Sequence, residues 1–425
     1  MKLLIFIAIV GLMSASLFLS VDNIDAKDLV RPERVVSKRL VMYDQDTYTK
    51  LAKLWAEYYE EFPSADAYGN WMYATRYAEL DDYEELLDKG LRMYPASPVL
   101  LYLIGLKKHG AADNSVGRDY LERAVALDPT YMDPWFALVI HYLAQDDQER
   151  LNLALRNLLD GGAIPDVVMD YSYNMLTSMD TNAILVCNGD NDTYPGLILT
   201  QLLDYRPDVM IVNRSLLNTD WYPLLMIAQG LPPFVTQAEL TELREQILGE
   251  IKVSQQPMPP GGPFGDPLIE HLVTAATAAE RPVYFSWTLV MTETIARFME
   301  DGRPLGLVNL VTPPHGSHQS DLQRALEVWL HDYRTGGLDS WQLHYAKATD
   351  ATLGLARNYA AVLYRMMDNI ASEAPQYRLP LFLWYQQHVV DLLPQNMRSG
   401  LAPMWCRMTD VPEIAEWCRE RGLAE

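Results

Sequence analysis

A polar hexapeptide at residues 188–193, Asn-Gly-Asp-Asn-Asp-Thr, has the side chains that bind hard cations or sugar hydroxyls. Carboxylate and amide oxygens are the usual ligands of Ca²⁺ and Mg²⁺, and they also accept hydrogen bonds from hydroxyls. An EF-hand is excluded, because the twelfth position counted from Asp190 is Gln201 rather than Glu. The alternative is a self-capping turn in which Asn and Asp bond their own backbone. The candidate ligand-binding residues here are Asn188, Asp190, Asn191, Asp192 and Thr193, and the candidate metal ligands are Asp190 and Asp192.

A second polar cluster begins at Asn213 and continues through Asn218, Asp220 and Trp221. An indole ring beside a carboxylate suits a sugar or another ring-shaped ligand. The alternative is a strand-end turn with Trp221 in the core. These four residues complete the predicted ligand-binding set.

Two weaker candidates follow later in the chain. Ser286-Trp287-Thr288 comes after a predicted strand, although Ser and Thr are also ordinary helix caps. His315-Gly-Ser-His318 has metal-like spacing but no third ligand, so surface histidines are the favoured interpretation. The chain has no GxGxxG, GxxxxGK[ST], HExxH or GxSxG motif, which removes the usual support for dinucleotide, P-loop, zinc-protease and hydrolase sites.

The elements that position these residues are strands alternating with helices. Apolar runs at 183–187 and 208–213 predict two buried strands, joined by a helix from Pro195 to Tyr205 with Thr193 as its N-cap. Such a unit makes the strands parallel and the crossover right-handed, and ligands bind at the carboxyl ends of such strands. Further strands at 282–287 and 305–311 alternate with helices, which predicts a mostly parallel sheet.

The Pro- and Gly-rich segment 255–267 predicts an irregular loop over the sheet. The later helices are predicted at 237–251, 266–279 and 288–300. Apolar residues at helical spacing after residue 350 predict another helix there.

Residues 44–175 have a helical pattern with a repeat. Pro63, Pro95 and Pro129 are 32 and 34 residues apart, and a small residue or Tyr stands five positions before each. This spacing is typical of tetratricopeptide repeats, whose stacked helix pairs form a concave surface. Such a surface either binds a protein partner or only braces the neighbouring domain, and the sequence leaves both open.

The N-terminus has the pattern of an export signal. Lys2 precedes an uncharged apolar segment at residues 3–20, and acidic residues follow. The pattern predicts a periplasmic or extracellular protein, whether the segment is cleaved or stays as an anchor. Membrane contact is therefore expected only through this segment, if it is uncleaved.

The net charge limits the classes of partner, and the cysteine positions limit the possible disulfides. The net charge of −22 argues against nucleic acid as a partner, because phosphate binding needs basic patches. Cys406 and Cys418 lie close in sequence and either pair or stay free. Cys187 falls in an apolar strand and is expected to be a packing residue.

The predicted fold is α/β plus α, with N-terminal tetratricopeptide-like repeats, a central mostly parallel sheet with flanking helices, and a C-terminal helical region. The predicted parts are a signal peptide or anchor, helical repeats, an α/β domain and a C-terminal helical region, at residues 1–20, 44–175, 180–315 and 320–425.

The α/β part resembles a known family. The segments Asn188–Pro195, Tyr205–Asn213 and Ser215–Tyr222 are similar to the soluble C-terminal region of bacterial multi-pass membrane proteins of unknown function. Residues 281–286 and 306–313 resemble the later strands of that region. The family is related to glycosyltransferase-C protein O-mannosyltransferases, and its members carry helical repeats beside this region. The motif residues that carry over are Asn188, Asp190, Asn191, Asp192, Asn218, Asp220 and Trp221.

The family's transferase chemistry belongs to a membrane-embedded part with many spanning helices, whereas this chain has at most one such segment. The resemblance therefore implies an accessory domain rather than sugar transfer.

Three functional hypotheses follow. The first is an exported, non-catalytic binding protein that engages a protein partner through its repeats and a glycan or other polar ligand through its α/β domain. The second is a metal-assisted enzyme acting on carbohydrate, with Asp190 and Asp192 holding a divalent cation as cofactor and Asp220 as base. The third is a structural scaffold without a small-molecule site.

Overall fold

The computed structural model describes residues 30–108, 115–254, 258–259, 261–312, 318–345, 350–408 and 410–422. The candidate export segment at residues 1–20 lies outside these ranges. Of the histidine pair, His315 lies outside them and His318 is described only as the first residue of a helix.

Helices fill the described part of the chain from residue 45 to residue 177. They are α1 Gln45–Glu61, α2 Ala65–Tyr77, α3 Tyr83–Met93, α4 Pro98–Lys108, α5 Ser115–Leu127, α6 Asp133–Ala144, α7 Gln148–Asp160 and α8 Asp166–Thr177. Three of them, α1, α3 and α5, end two residues before the prolines of the repeat. The predicted helix ends are therefore confirmed, since proline lacks the backbone N–H that the next turn needs.

The small residues of the repeat lie at close helix contacts. A Cβ added at Gly90 would lie 2.2 Å from Cε1 of Tyr68, which is closer than two carbon atoms can approach. Ala124, the equivalent residue of the next copy, is fully buried. Glycine at position 90 thus lets α3 pack directly on the Tyr68 ring.

Replacing Gly90 with alanine is expected to lower the free energy of unfolding by about 1–3 kcal/mol, because the new methyl group displaces the Tyr68 ring. Urea denaturation measures the change. Gly249→Ala is the matched control, since Gly249 also lies within a helix but an added Cβ meets nothing within 4 Å. The free energy of unfolding of the control is expected to rise by up to about 1 kcal/mol, because alanine has a higher helix propensity than glycine. Equal effects at the two sites would show that Gly90 has no packing role.

One five-stranded sheet follows the helical region within the described residues. Its strands are β1 Ile184–Cys187, β2 Met210–Asn213, β3 Val283–Ser286, β4 Arg303–Leu305 and β5 Val308–Leu310, in the order β2-β1-β3-β5-β4. β1 is parallel to both β2 and β3, which confirms the predicted strand–helix–strand unit.

The prediction of a mostly parallel sheet is wrong for the edge that β5 and β4 form. β5 runs antiparallel to β3 and to β4, so the sheet is mixed. The segment predicted as one strand at 305–311 is instead part of a hairpin over residues 303–310. Gly306 adopts a φ of +68° between β4 and β5, a conformation that glycine reaches without strain and that lets the chain reverse.

Further helices surround the sheet and form the C-terminal region. They are α9 Asp190–Leu197, continued by a π-helical turn at Ile198–Leu202, α10 Tyr222–Ala228, α11 Gln237–Ser254, α12 Gly265–Ala278, α13 Glu293–Asp301, α14 His318–His331, α15 Trp341–Tyr345, α16 Asp350–Glu373, α17 Arg378–His388, α18 Gln395–Trp405 and α19 Pro412–Glu420. None of the helices in the described residues is long and apolar enough to cross a membrane.

Two predicted helix starts are wrong. α9 begins at Asp190 rather than Pro195, with Gly189 as the N-cap, because acidic residues in a first turn complement the helix dipole. α13 begins at Glu293 rather than Thr288, since the hydroxyl of Thr292 accepts the N–H of Ile295 and caps the helix there. Ser286 and Thr288 are consequently not the caps of this helix.

The sheet separates two apolar cores. Ile184 and Val186 of β1 belong to a core shared with helices α1–α7. Leu185, which points to the opposite face, belongs to a core shared with α8, α14 and the C-terminal helices. The predicted division of the chain at 175–180 is not tested by this packing and stays a prediction.

A disulfide joins Cys406 at the end of α18 to Cys418 in α19. Of the two alternatives that the sequence left open, the structure has the paired one. Cys187 is buried and free.

Reduction of this disulfide is expected to lower the free energy of unfolding by about 3 kcal/mol, the loop-entropy value for a loop of similar length. Its two cysteines are 12 residues apart. Thermal unfolding with and without reductant measures the change. The Cys406→Ala/Cys418→Ala double variant should match the reduced protein and should not respond to reductant. An unchanged melting temperature after reduction of the wild type would contradict the expectation.

Candidate functional site

An open cavity of about 460 Å³ lies where β1 and β3 end. It is lined by Arg39, Asn188, Gly189, Asp190, Asn191, Asp192, Trp287, Thr288, Gly354, Leu355 and Asn358. This is the carboxyl end of two adjacent parallel strands. The sequence placed the site at the ends of β1 and β2, whereas this cavity lies at the ends of β1 and β3. Its volume lies in the range of about 300–1,000 Å³ usual for small-molecule sites.

Asp192 is the most deeply buried charged group of this cavity, with 2% of its surface exposed. Its Oδ2 accepts hydrogen bonds from the backbone N–H of Asn188 at 3.1 Å and from the Thr288 hydroxyl at 2.5 Å. Because Thr288 donates to Asp192, the Ser286 hydroxyl at 2.6 Å must donate to Thr288. The predicted cluster at 286–288 therefore supports the carboxylate of Asp192.

The other carboxylate oxygen of Asp192, Oδ1, is buried and has no hydrogen-bond partner among the described residues. Burial raises the pKa of Asp192, and the charge of Asp190 raises it slightly further, whereas the hydroxyl of Thr288 and the backbone N–H groups of Asn188 and Gly189 lower it. The site thus holds a desolvated carboxylate with an unused acceptor oxygen, an arrangement that destabilises a fold unless something else uses it.

Asp190 lies at the rim and has a counter-charge. Its Oδ2 accepts a hydrogen bond from Nε of Arg39 at 2.8 Å. The Arg39 guanidinium also lies 4.3 Å from the centre of the Phe136 ring and 4.0 Å from Asp133. Burial by itself lowers the pKa of Arg39, but its electrostatic interactions with Tyr194 and Asp190 and its hydrogen bond to Asp190 raise it, so that the net shift of the pKa is upward.

A metal at Asp190 and Asp192 gains no support from this geometry. A cation would have to displace Arg39 from Asp190. No group of three or more His, Cys, Asp or Glu side chains within the described ranges is arranged to hold a metal ion.

Thr193 and Asn213, both predicted ligand-binding residues, lie inside the fold instead. The Asn213 side-chain amide donates to Thr193 Oγ1 at 2.8 Å, and the Thr193 hydroxyl lies 3.3 Å from Sγ of Cys187. Asn213 Oδ1 accepts the N–H of Leu216 at 3.0 Å. These bonds tie the ends of β1 and β2 together, and neither residue lines the cavity.

Asn218 also has a structural role. Its Oδ1 accepts the N–H of Phe264 at 2.9 Å, and its Nδ2 donates to the carbonyl of Gly261 at 2.8 Å. The short 3₁₀ turn at Leu216–Asn218 directs the chain toward this Gly-rich loop rather than toward the cavity.

Asp220 and Trp221 lie away from the cavity as well. The Asp220 side chain is 82% exposed and pairs with Arg244 at 2.8 Å. Trp221 packs edge-on against Tyr222. Asp190, Asp192 and Asp220 therefore do not line one cavity, and the predicted three-carboxylate cluster is wrong.

The structure adds two polar cavity residues that the sequence did not indicate, Arg39 and Asn358. Arg39 lies 151 residues before Asp190, and Asn358 lies in α16. Neither belongs to a local motif. A second, mostly apolar cavity of about 280 Å³ shares Arg39, Asp190 and Asn191 with the first.

Residues 168–229 match the family described as TMEM260-associated domain 2. The match runs from α8 to the end of α10, and it includes Asn188–Thr193 and Asn218–Trp221. It covers 62 residues (229 − 168 + 1) of the 425. This segment is consequently similar to a TMEM260-like domain. No curated protein and no solved structure matches the chain.

Proposed function

We propose that this chain is a non-catalytic binding protein that holds a carbohydrate or a similar polyhydroxylated ligand in the cavity at the ends of β1 and β3. The observation that carries the proposal is the buried carboxylate of Asp192, whose Oδ1 has no partner among the described residues. A ligand hydroxyl is a donor of the kind that this acceptor lacks, and Asp192 is one of the residues that line the cavity.

The other cavity residues suit the same ligand. The amides of Asn188, Asn191 and Asn358 offer both donors and acceptors, which matches the dual character of sugar hydroxyls. Trp287 provides an aromatic surface for the apolar face of a sugar ring. Its indole N–H donates to the carbonyl of Gly306 at 3.2 Å, so the ring is held in one orientation.

The enzyme alternative has less support. It required Asp190 to hold a cation and Asp220 to act as base, whereas Asp190 pairs with Arg39 and Asp220 pairs with Arg244. General base catalysis needs the base within hydrogen-bond reach of the reacting group. Asp220 lies outside the cavity and does not meet this requirement.

The remaining parts of the proposal concern the helices and the location. Helices α1–α8 would be tetratricopeptide-like repeats that bind a protein partner, which is supported by the 32- and 34-residue proline spacing and by the close packing at Gly90. Export to the periplasm or beyond is supported by the apolar segment at residues 3–20. The relation to the soluble region of glycosyltransferase-associated membrane proteins is supported by the motifs quoted above and by the domain match at 168–229.

A thermal-shift screen against methyl glycosides and against Ca²⁺, Mg²⁺ and Mn²⁺ tests the proposal. A sugar that binds only the folded state stabilises it by about 2.7 kcal/mol at one hundred times its Kd. We expect at least one glycoside to raise the melting temperature of the wild type but not of Asn191→Ala, whose exposed amide lines the cavity. Asn396→Ala, an exposed asparagine of α18, is the matched control and should respond like the wild type.

Two outcomes would oppose the proposal. A cation that raises the melting temperature of the wild type but not of Asp190→Asn would favour the metal-assisted enzyme. A blank screen with every sugar and cation would favour a structural scaffold.

A further inference from the structure

A basic segment at residues 31–41, here called the strap, lies across α1 and α2. It reads Arg-Pro-Glu-Arg-Val-Val-Ser-Lys-Arg-Leu-Val and forms neither helix nor strand. It carries four cationic residues and one acidic residue, in a chain whose net charge is −22. The net charge of the strap is therefore opposite in sign to that of the rest of the protein.

Side chains of the two helices bind the strap through its backbone. The Trp55 indole N–H donates to the carbonyl of Glu33 at 3.0 Å, and the buried Asn70 accepts the N–H of Val35 at 2.9 Å. The N–H of Lys38 donates to the Tyr77 hydroxyl at 3.3 Å. Backbone atoms are common to all peptides, so the contacts at Glu33 and Val35 would hold any extended segment of suitable side chains, whereas the contact at Lys38 also needs the turn at residues 38–40.

Acidic and aromatic residues select positive charge along the same surface. Arg31 pairs with Asp66 at 2.6 Å and lies 5.7 Å from the Trp55 ring centre. The ammonium of Lys38 lies 4.8 Å from the ring centre of Tyr77 and 5.2 Å from that of Tyr48. A cation over an aromatic ring is attracted by the negative face of the ring.

The strap does not fill the surface on which it lies. A cavity of about 250 Å³ remains between Val35 and Val36 on the strap and Val99, Thr130 and Tyr131 on the helical region. Val35 and Ser37 are the two strap residues that are buried. The surface thus accommodates a segment with larger side chains than the one it holds.

We propose that this surface, formed by Trp55, Asp66, Asn70 and Tyr77 with Tyr48, is the docking site for an extended, basic segment of a partner protein. The strap occupies it as an intramolecular competitor, which the partner's segment displaces. The proposal deepens the protein-partner half of the proposed function and rests on it. Because only residues 42–44 separate the strap from α1, its effective concentration is in the millimolar range, and partner affinity is lowered accordingly.

A synthetic peptide of residues 31–41, labelled with fluorescein and titrated with the full chain, tests the proposal by fluorescence anisotropy. Val35→Asp weakens the chain's own strap without changing the docking surface. We expect this variant to bind the peptide at least tenfold more tightly than the wild type does. Adding Asn70→Ala to it should reduce the affinity at least tenfold again, because the contact to the Val35 N–H is lost.

Lys38→Glu is a second strap variant, which removes the cation from Tyr48 and Tyr77 without placing a charge at a buried position. It should also bind the peptide more tightly than the wild type, and a peptide with all its cations changed to glutamate should not bind. If both strap variants only lose stability and neither binds the peptide, the strap is a fixed part of the fold and the proposal is wrong. Methyl glycoside binding is measured separately on the wild type and Asn191→Ala, whose strap and docking surface are unchanged, so failure here is distinct from failure of the cavity proposal.

Discussion

Asparagine in place of Asp192 is expected to raise the free energy of unfolding at pH 7 by about 1–3 kcal/mol, because the neutral amide removes the desolvation penalty of a buried charge. The asparagine oxygen can still accept from the Asn188 N–H and the Thr288 hydroxyl, which now bond to Oδ2. The charge that burial disfavours is removed. Urea denaturation of the two proteins at pH 7 measures the difference.

The difference in the free energy of unfolding between Asp192→Asn and the wild type should increase with pH. The folded protein raises the pKa of Asp192 above its ordinary value of 3.8, so the folded state binds this proton more tightly than the unfolded state does. The wild type therefore loses stability relative to Asp192→Asn as the pH rises from about 4 through the folded pKa, and the two converge below the unfolded value. Parallel stability curves across this window would contradict the assignment.

Asp190→Asn is the matched control, because it makes the same change from carboxylate to amide at a neighbouring residue. Asp190 is half-exposed and paired with Arg39. Its replacement removes a favourable ion pair and should be neutral or destabilising, by up to about 1 kcal/mol. Opposite signs at two carboxylates of one turn would show that Asp192 alone is held at a cost in stability.

Replacing Arg214 with alanine should destabilise the fold by about 3–5 kcal/mol, the usual effect of removing one partner of a buried ion pair. The Arg214 side chain is 1% exposed, and its Nε and one terminal nitrogen both lie 2.7 Å from Oδ1 of Asp266. Gly261, at a φ of +80°, packs directly on the guanidinium: an added Cβ would lie 2.1 Å from its nitrogen. The substitution leaves Asp266 without this partner and the Gly-rich loop without support.

A double-mutant cycle with Asp266→Ala separates the ion pair from the packing of the arginine. Thermal unfolding of the two single variants and of the double variant should give a coupling of at least about 1 kcal/mol, since the two residues are in contact. Arg214→Lys keeps the charge but not the two nitrogens on Asp266, and it should recover only part of the loss. Additive single effects would show that the pair contributes nothing beyond arginine packing.

The sequence predicted the central strands and their arrangement but not the whole sheet. Short runs of branched apolar residues at β1 and β2, with a helix between them, specify a parallel pair by connection length alone. The hairpin at 303–310 depends on the backbone conformation of Gly306, and a strand interpretation of the same residues fits the apolar pattern equally well.

The candidate site was predictable in part. Asn188, Asp190, Asn191 and Asp192 lie at the cavity because strand ends converge there. Asn213 and Asn218 have the same residue type and a similar position in sequence, yet their amides bond the fold itself. A sequence shows which side chains can form hydrogen bonds. Which partner each side chain bonds depends on elements that are distant in the sequence.

Arg39 shows the same limit more clearly. It reaches Asp190 from 151 residues away, through an irregular segment with no pattern of its own. Only the packing of the strap on α1 and α2 brings its guanidinium to the rim of the cavity.

Isothermal titration calorimetry with the methyl glycosides of glucose, galactose, mannose and N-acetylglucosamine tests the central claim most directly. The proteins compared are the wild type and Asp192→Asn. The account predicts that at least one glycoside binds the wild type, and that Asp192→Asn, although more stable, binds it about 10- to 100-fold more weakly, as expected for one charged hydrogen bond. Equal affinity in the two proteins, or no binding of any glycoside to the wild type, would contradict the claim that Asp192 is retained to hold a hydroxyl-rich ligand.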